Sequence, residues 1–499
     1  MPPSQHKVGP ELDIQLDNIG RPYKPGDVIT GRVLRRAQTV SPRATVTIQL
    51  LGRAKTKIVV TRHTGQSTTQ SYYRSRFNFF EDAQTRRQLH DGPIHVTSGG
   101  SPEIWEFAIN VPLTPSPLAI RAHNPKPESS FLSLIANDIA SYPLPSSFAT
   151  EGRKLHTRFE GYVEYHLEAS LLQQGSHHEK AITATLPIQL RTPSMPYPLV
   201  NFDLQQHAWP CTVSAYRLVP GMENAELSFK QKSQQFFRSS KVPKFAFTVW
   251  TSCPGVIQLG NPTPIPFLVR IVPDKKRTSE VLHDVPETAR VNALDFVIKA
   301  DTTVIAPGTF TTHDGKDSIH YNINIPVTSR GLQVAPQGTD DAYTTQRRGE
   351  DDETQASPGV DEKATKGMSK SEDAQASPSA GHPIPRPSSE QLPAYQAATQ
   401  QPYTAQLGPL LVPARWETDE KPVDLGAAVG FRIFPTRAVA FGRSIPGTHA
   451  SDEPISPDFT TYCIRHSHRL KWKLVIGVAG ETVKIEGTQP ITVMGASQM

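Results

Sequence analysis

Gly161-Tyr162-Val163-Glu164-Tyr165-His166-Leu167-Glu168-Ala169 decides the fold class of this chain. Gly161, Val163, Tyr165, Leu167 and Ala169 alternate with Tyr162, Glu164, His166 and Glu168, the period of a β-strand with one buried face. Working outward, the same period returns in Glu11 to Asp17, in Val46, Ile48 and Leu50, and in Trp105, Phe107, Ile109 and Val111. Tyr23-Lys24-Pro25-Gly26-Asp27 predicts a type II turn, because proline presets φ at the second position and glycine accepts φ > 0 at the third. Ile182 to Leu190 is another strand, which Pro187 should confine to a sheet edge or a bulge.

After the proline-rich joint Thr192-Pro193-Ser194-Met195-Pro196-Tyr197-Pro198 the alternation restarts. Phe245, Phe247 and Val249 carry it, then Ile265, Phe267, Val269 and Ile271, then Leu294, Phe296 and Ile298. Tyr321, Ile323, Ile325 and Val327 follow, and Trp472, Leu474, Ile476 and Val478 close the series, with Val483 and Ile485 behind. Ser129 to Ser141 is the one segment with a helical apolar face, made of Phe131, Leu132, Ile135 and Ile139. Short strands separated by turn signals predict an all-β protein built as two sandwiches, not βαβ units. The expected boundaries are residues 8–191 for the first sandwich, 192–199 for the joint, and 200–337 with 409–495 for the second.

Residues 338–408 interrupt the second block. They are rich in Ser, Thr, Gln, Asp, Glu, Pro and Ala and poor in Val, Ile, Leu and Phe. Too little apolar area is present there to offset chain entropy, so a long disordered insertion is expected. Within it stands Leu392-Pro393-Ala394-Tyr395. A proline in an unfolded tract favours polyproline II, the shape bound by aromatic grooves such as those of WW domains, and a tyrosine two residues on supplies an anchor. Ser357-Pro358, Ser377-Pro378 and Ser456-Pro457 are candidate sites for proline-directed phosphorylation. Lys363, Lys366 and Lys370 also lie in the 338–408 segment.

Charge is distributed unevenly. The formal net charge is +5, yet residues 338–408 hold 11 acidic and 6 basic side chains, which leaves 46 basic against 36 acidic elsewhere. No Asp or Glu occurs from Val28 to Phe80, where Arg32, Arg35, Arg36, Arg53, Lys55 and Lys57 stand, with Arg43, Arg62, Arg74 and Arg76. Leu227 to Pro273 is likewise free of acids and holds Lys230, Lys232, Lys241 and Lys244. Fields of one sign attract acidic peptides, phosphorylated tails or anionic lipid surfaces, so these lysines and arginines are the candidate cargo- or lipid-binding residues.

The chemistry of an enzyme is missing from the sequence pattern: there is no nucleophile elbow, Walker loop, dinucleotide fingerprint or HExxH motif. Cys211, Cys253 and Cys463 form neither a Cys-x-x-Cys pair nor a disulfide framework. His177-His178 reads as a solvated hairpin pair. His466-x-His468 puts two rings on one strand face with no acidic neighbour in sequence, and strand surface is the expectation over a metal site. No catalytic residue, cofactor or metal is therefore expected, and no nucleic-acid partner. The first residues show no charged-then-apolar leader, and no apolar run reaches the ~20 residues of a membrane span, so an intracellular protein is expected.

Tyr23-x-Pro25-Gly26-Asp27-x-Ile29-x-Gly31-x-Val33 resembles the opening motif of the arrestin N-terminal domain. Leu144-Pro145-Ser146-Ser147-Phe148, followed by Phe159-x-Gly161-x-Val163-x-Tyr165-x-Leu167-x-Ala169, is similar to the arrestin turn and central strand. Phe459 to Lys471 resembles the penultimate strand of the arrestin C-terminal domain, and Val256 to Pro262 matches that domain loosely. The resemblance spans residues 8–335 and 410–495 and points to the fungal α-arrestins. It implies two immunoglobulin-like β-sandwiches and an adaptor that links cytosolic tails of plasma-membrane transporters or receptors to a HECT-type ubiquitin ligase. Leu392, Pro393 and Tyr395 then match the LPxY ligand of the ligase WW domains, and the protein would be cytoplasmic, peripheral at plasma membrane and endosomes. A single LPxY, in place of PPxY, keeps a second reading open, a sorting or signalling scaffold that recruits no ligase. A third class is a β protein that binds lipid or nucleic acid through its acid-free stretches.

Overall fold

The computed structural model describes residues 12–327 and 409–497, apart from residues 19, 66, 123–125, 174–180, 193–194, 238, 284, 286, 416–420 and 446–453. Strands hold 57 % of the described residues and helices 10 %, so the all-β expectation holds. The expected disordered insertion at 338–408 lies outside the described residues.

Among the described residues the first block has nine strands: β1 (Asp13–Leu16), β2 (Val28–Arg35), β3 (Thr39–Thr64), β4 (Ser67–Asn78), β5 (Arg86–Val96), β6 (Glu103–Asn110), β7 (Phe148–Lys154), β8 (Thr157–Gln173) and β9 (Ile182–Ile188). One sheet runs β1-β2-β6; the other runs β4-β3-β8-β7, with β5 on β3 and β9 on β8. Three short helices intervene, α1 (Asp82–Thr85), α2 (Pro117–Arg121) and α3 (Ala136–Ser141). The stretch quoted first lies in β8, where Val163, Tyr165, Leu167 and Ala169 are buried as the alternation requires. Gly26 has φ of 87° and Asp27 N–H donates to Lys24 C=O at 3.1 Å, the expected turn. Strand β9, with Pro187, pairs with β8 alone.

The second block comprises β10 (Leu204–Ser214), α4 (Phe229–Phe236), β11 (Lys244–Pro254), β12 (Val256–Gln258), β13 (Leu268–Pro273), β14 (Thr288–Pro307) and β15 (Thr312–Ile325). Beyond the undescribed stretch come β16 (Leu411–Pro413), β17 (Val423–Asp424), α5 (Leu425–Val429) and the small sheet β18 (Arg432–Phe434), β19 (Arg437–Ala440) and β20 (Arg443–Ser444). The chain ends with β21 (Phe459–Thr460), β22 (Ile464–Val478) and β23 (Glu481–Met494). The order β12-β23-β22-β14-β15 joins strands from either side of the undescribed residues in one sheet, and β10-β11-β13-β17 forms another. Trp472, Phe267, Phe296 and Phe431 fill the core of this block, with Trp472 against Phe267 at 5.3 Å between ring centroids.

Two strands of the second block extend into the core of the first. Val304, Ile305, Ala306, Tyr462, Cys463 and Ile464 pack with Phe77, Phe159 and Ile58. Thr56 Oγ1 donates to Ile305 C=O at 2.6 Å. The Phe77 and Tyr462 rings stack at 4.9 Å.

Two expectations are corrected. The helix proposed over Ser129 to Ser141 is only α3, from Ala136; Phe131 N–H instead donates to Tyr462 C=O at 2.9 Å, so tertiary pairing takes the backbone that a helix would use. His466 and His468 are buried rather than on a strand surface. His466 Nδ1 meets Thr302 Oγ1 at 2.8 Å, and His468 Nδ1 bonds the carboxylate of Asp458, an acidic partner invisible to local spacing.

Candidate docking face

The outward face of the β4-β3-β8-β7 sheet gathers most of the charge in the first acid-free stretch. Period-two geometry sends Arg53, Lys55 and Lys57 of β3 to one side while Ala54, Thr56 and Ile58 enter the core. Register decides their neighbours. Lys55 pairs with Arg76 and Lys57 with Arg74 on β4, whereas Arg53 pairs with Glu164 and Lys57 with Glu160 on β8. On β7, Arg153 faces Arg158 and Glu151 faces Glu160. The face thus carries Arg53, Lys55, Lys57, Arg74, Arg76, Arg153 and Arg158 against Glu151, Glu160, Glu164 and, farther along β8, Glu168.

Its two ends differ. At one end Glu164 Oε1 accepts from Arg53 Nε at 2.5 Å and lies 3.1 Å from Lys55 Nζ, all three side chains largely buried. Burial, then the neighbouring Arg53 guanidinium, lowers the Lys55 pKa. Burial also lowers the His166 pKa to about 4, with Arg53 adding to the effect, and pushes the Tyr162 pKa up to about 12. This end is a closed ion cluster.

The other end is open. A groove of about 730 Å³ is lined by Lys57, Tyr72, Arg153, Arg158, His63 and His156, among others. Glu160 is shared there between Lys57 at 3.7 Å and Arg158 at 3.5 Å. The exposed Tyr72 ring lies 6.0 Å from Lys57 Nζ and 5.6 Å from the Arg74 guanidinium, attractive cation–π distances. The β7–β8 turn forms one wall; Leu155 sits at φ of 49° and is 85 % exposed, a conformation that L side chains rarely adopt. Such a surface offers cations, imidazoles and one aromatic plane to an acidic, extended ligand.

The other candidate residues lie elsewhere. Arg32 belongs to β2, where its Nε donates to Gln15 Oε1 at 3.2 Å. Arg35 is buried and donates to Thr39 Oγ1 at 2.7 Å, and Arg36 pairs with Asp13 at 3.5 Å. Lys230 and Lys232 are exposed on α4, while Lys241 precedes β11 and Lys244 begins it. Arg74, Arg76, Arg153 and Arg158 join the face only through strand pairing, and Arg153 and Arg158 fall outside both acid-free stretches.

Ser456 is half-buried beside Ile455, whose N–H donates to Pro435 C=O at 2.7 Å. Leu392, Pro393, Tyr395, Ser357 and Ser377 lie outside the described residues, as do Lys363, Lys366, Lys370 and His177-His178. Among the described residues no group of three or more His, Cys, Asp and Glu side chains is placed to hold a metal ion, and no helix is long and apolar enough to cross a membrane. No family model matches the chain, and no curated protein matches it.

Proposed function

We propose that the chain is a non-enzymatic adaptor of the arrestin type, two immunoglobulin-like sandwiches with a disordered insertion at 338–408. It would link cytosolic tails of plasma-membrane transporters or receptors to a HECT-type ubiquitin ligase for endocytosis and sorting. The observation that carries the reading is the cationic sheet face with its open groove at Lys57, Tyr72 and Arg158, suited to an acidic or phosphorylated tail. The arrestin-like motif residues support it, since Tyr23, Ile29, Val33, Val163 and Tyr165 all serve the first core.

The second half of the function rests on Leu392-Pro393-Ala394-Tyr395. With cargo on the sheet face and a ligase on this motif, ubiquitin transfer becomes effectively intramolecular, since flexible tethers give effective concentrations on the order of mM. The adaptor would work in the cytoplasm, at the surface of plasma membrane and endosomes. Isothermal titration of a 390–404 peptide against WW domains of a HECT ligase, with Tyr395→Ala as control, tests it. Micromolar binding lost in the control supports the adaptor. Absent binding favours the second reading, an arrestin-fold sorting or signalling scaffold without a ligase, which the single LPxY already keeps in play.

A further inference from the structure

Helix α4 is built inside out. Ser228 and Gln231 close a capping box at its start: Gln231 N–H donates to Ser228 Oγ at 3.3 Å, and Ser228 N–H donates to Gln231 Oε1 at 2.9 Å. At about 100° per residue, Gln231, Gln234 and Gln235 share one side and Phe229, Lys232, Ser233 and Phe236 the other. The polar side is the one that docks on the protein. Gln234 Oε1 accepts from Tyr216 OH at 2.7 Å, and Gln235 Nε2 donates to Glu481 Oε1 at 2.6 Å. The helix buries none of its residues. Phe229 is 89 % exposed, Phe236 80 % and Phe237 76 %.

Three solvated phenylalanines, two on an eight-residue helix and one at its C-cap, bury nothing, and clustered exposed apolar side chains mark an interaction surface. Their surroundings select the partner. Lys230 and Lys232 flank the rings on the helix, and Lys241 is exposed just beyond it. No Asp or Glu occurs from Leu227 to Pro273; the nearest upstream carboxylates are the exposed Glu223 and Glu226, and Glu481 is engaged by Gln235. Aromatic side chains backed by lysines match a bilayer interface, where rings enter the acyl boundary and ammonium groups stay at the phosphate level.

We propose that Phe229, Phe236 and Phe237, with Lys230, Lys232 and Lys241, form a wedge that seats this protein on an anionic lipid bilayer. The wedge needs neither the sheet face nor the LPxY motif, so its failure and theirs are separable. The first test is vesicle co-sedimentation of the full chain. Vesicles of phosphatidylcholine with about 30 mol % phosphatidylserine should bind it, and pure phosphatidylcholine should bind it at least about tenfold less. Phe236→Ser with Phe237→Ser should reduce binding to the anionic vesicles about tenfold, because the apolar contact area is removed. Lys230→Gln with Lys232→Gln should weaken it and flatten its salt dependence.

These positions are exposed, so the variants fold. Phe236→Trp reads insertion directly: a blue-shifted emission on anionic vesicles is expected, and unchanged emission overturns the proposal. Serine variants that bind like the parent chain overturn it too. A parent chain that ignores both vesicles but forms a concentration-dependent dimer, lost in the serine variant, would reassign the patch to self-association.

Discussion

Arg53 and Glu164 face each other across β3 and β8 with Nε and Oε1 2.5 Å apart, 111 residues distant in sequence. Lys55 shares the same carboxylate at 3.1 Å. Glu164→Ala would leave two half-desolvated cations without their counter-charge, and breaking such a pair costs roughly 3 kcal/mol. The first calorimetric transition should move down accordingly. Glu164→Met combined with Lys55→Met and Arg53→Met should recover much of that loss, because all three charges are then removed together.

Acid should loosen this protein through two buried histidines. Burial lowers the His166 pKa to about 4 and, with neighbouring His468 adding, the His466 pKa to about 3, from an ordinary 6.5. Both folded-state values lie below the unfolded one. Above pH 6.5 neither histidine binds a proton in either state, and their contribution to stability is fully present. As pH falls from 6.5 through about 4 and 3, only the unfolded chain takes up protons, so stability is lost. Glu287 works in the other direction: burial, with nearby Glu223 adding, raises its pKa to about 7, and its contribution is lost as pH rises from about 4.5 through 7. Melting temperature against pH should therefore fall below pH 6, and His166→Phe should flatten that limb.

The junction between the blocks should be sensitive to a single methyl group. A Cβ at Gly315 would stand 2.5 Å from Cδ1 of the Phe159 ring, and one at Gly152 would meet Cζ of the same ring at 2.5 Å. Gly315→Ala should cost about 1–3 kcal/mol, as overpacking does, and Thr56→Val about 1 kcal/mol through the lost bond to Ile305 C=O. Limited proteolysis at native temperature should speed up in both. A cleavage rate equal to that of the parent chain would mean that this contact does not hold the blocks together.

The strands were legible because burial follows alternation almost residue by residue, as Trp105, Phe107, Ile109 and Val111 show. Arg53, Lys55 and Lys57 were legible as one face for the same reason. What pairs with them was not. Register between β3 and β8 joins residues about a hundred apart in the chain, so Glu164 could not be placed beside Arg53, nor Glu160 beside Lys57, from local spacing. Arg32, Arg35 and Arg36 share the acid-free run but separate because β2 belongs to the other sheet. Helix α4 was missed, because its phenylalanines point outward and give no core-facing period; the capping box Ser228 to Gln231 is the one local signal it carries. His468 and Asp458 meet only because the chain before β22 folds back against it.

Cargo binding, if it uses the open end of the sheet face, should depend on position and not on total charge. Lys57→Glu with Arg74→Glu reverses two cations beside Tyr72 and takes from Glu160 one of its cationic partners, leaving it Arg158 at 3.5 Å. Affinity for an acidic, phosphorylated peptide should drop at least about tenfold, and the remaining binding should lose most of its salt dependence. Arg32→Glu with Lys230→Glu makes the same change in net charge on two other elements, β2 and α4. That variant should bind the peptide nearly as the parent does, because exposed charges beyond about one Debye length, ~8 Å at physiological salt, are screened. Fluorescence anisotropy at two salt concentrations separates the cases. Equal losses in both variants would mean that a diffuse positive field, and not the groove lined by Lys57 and Tyr72, attracts the peptide, and the docking face would have to be abandoned.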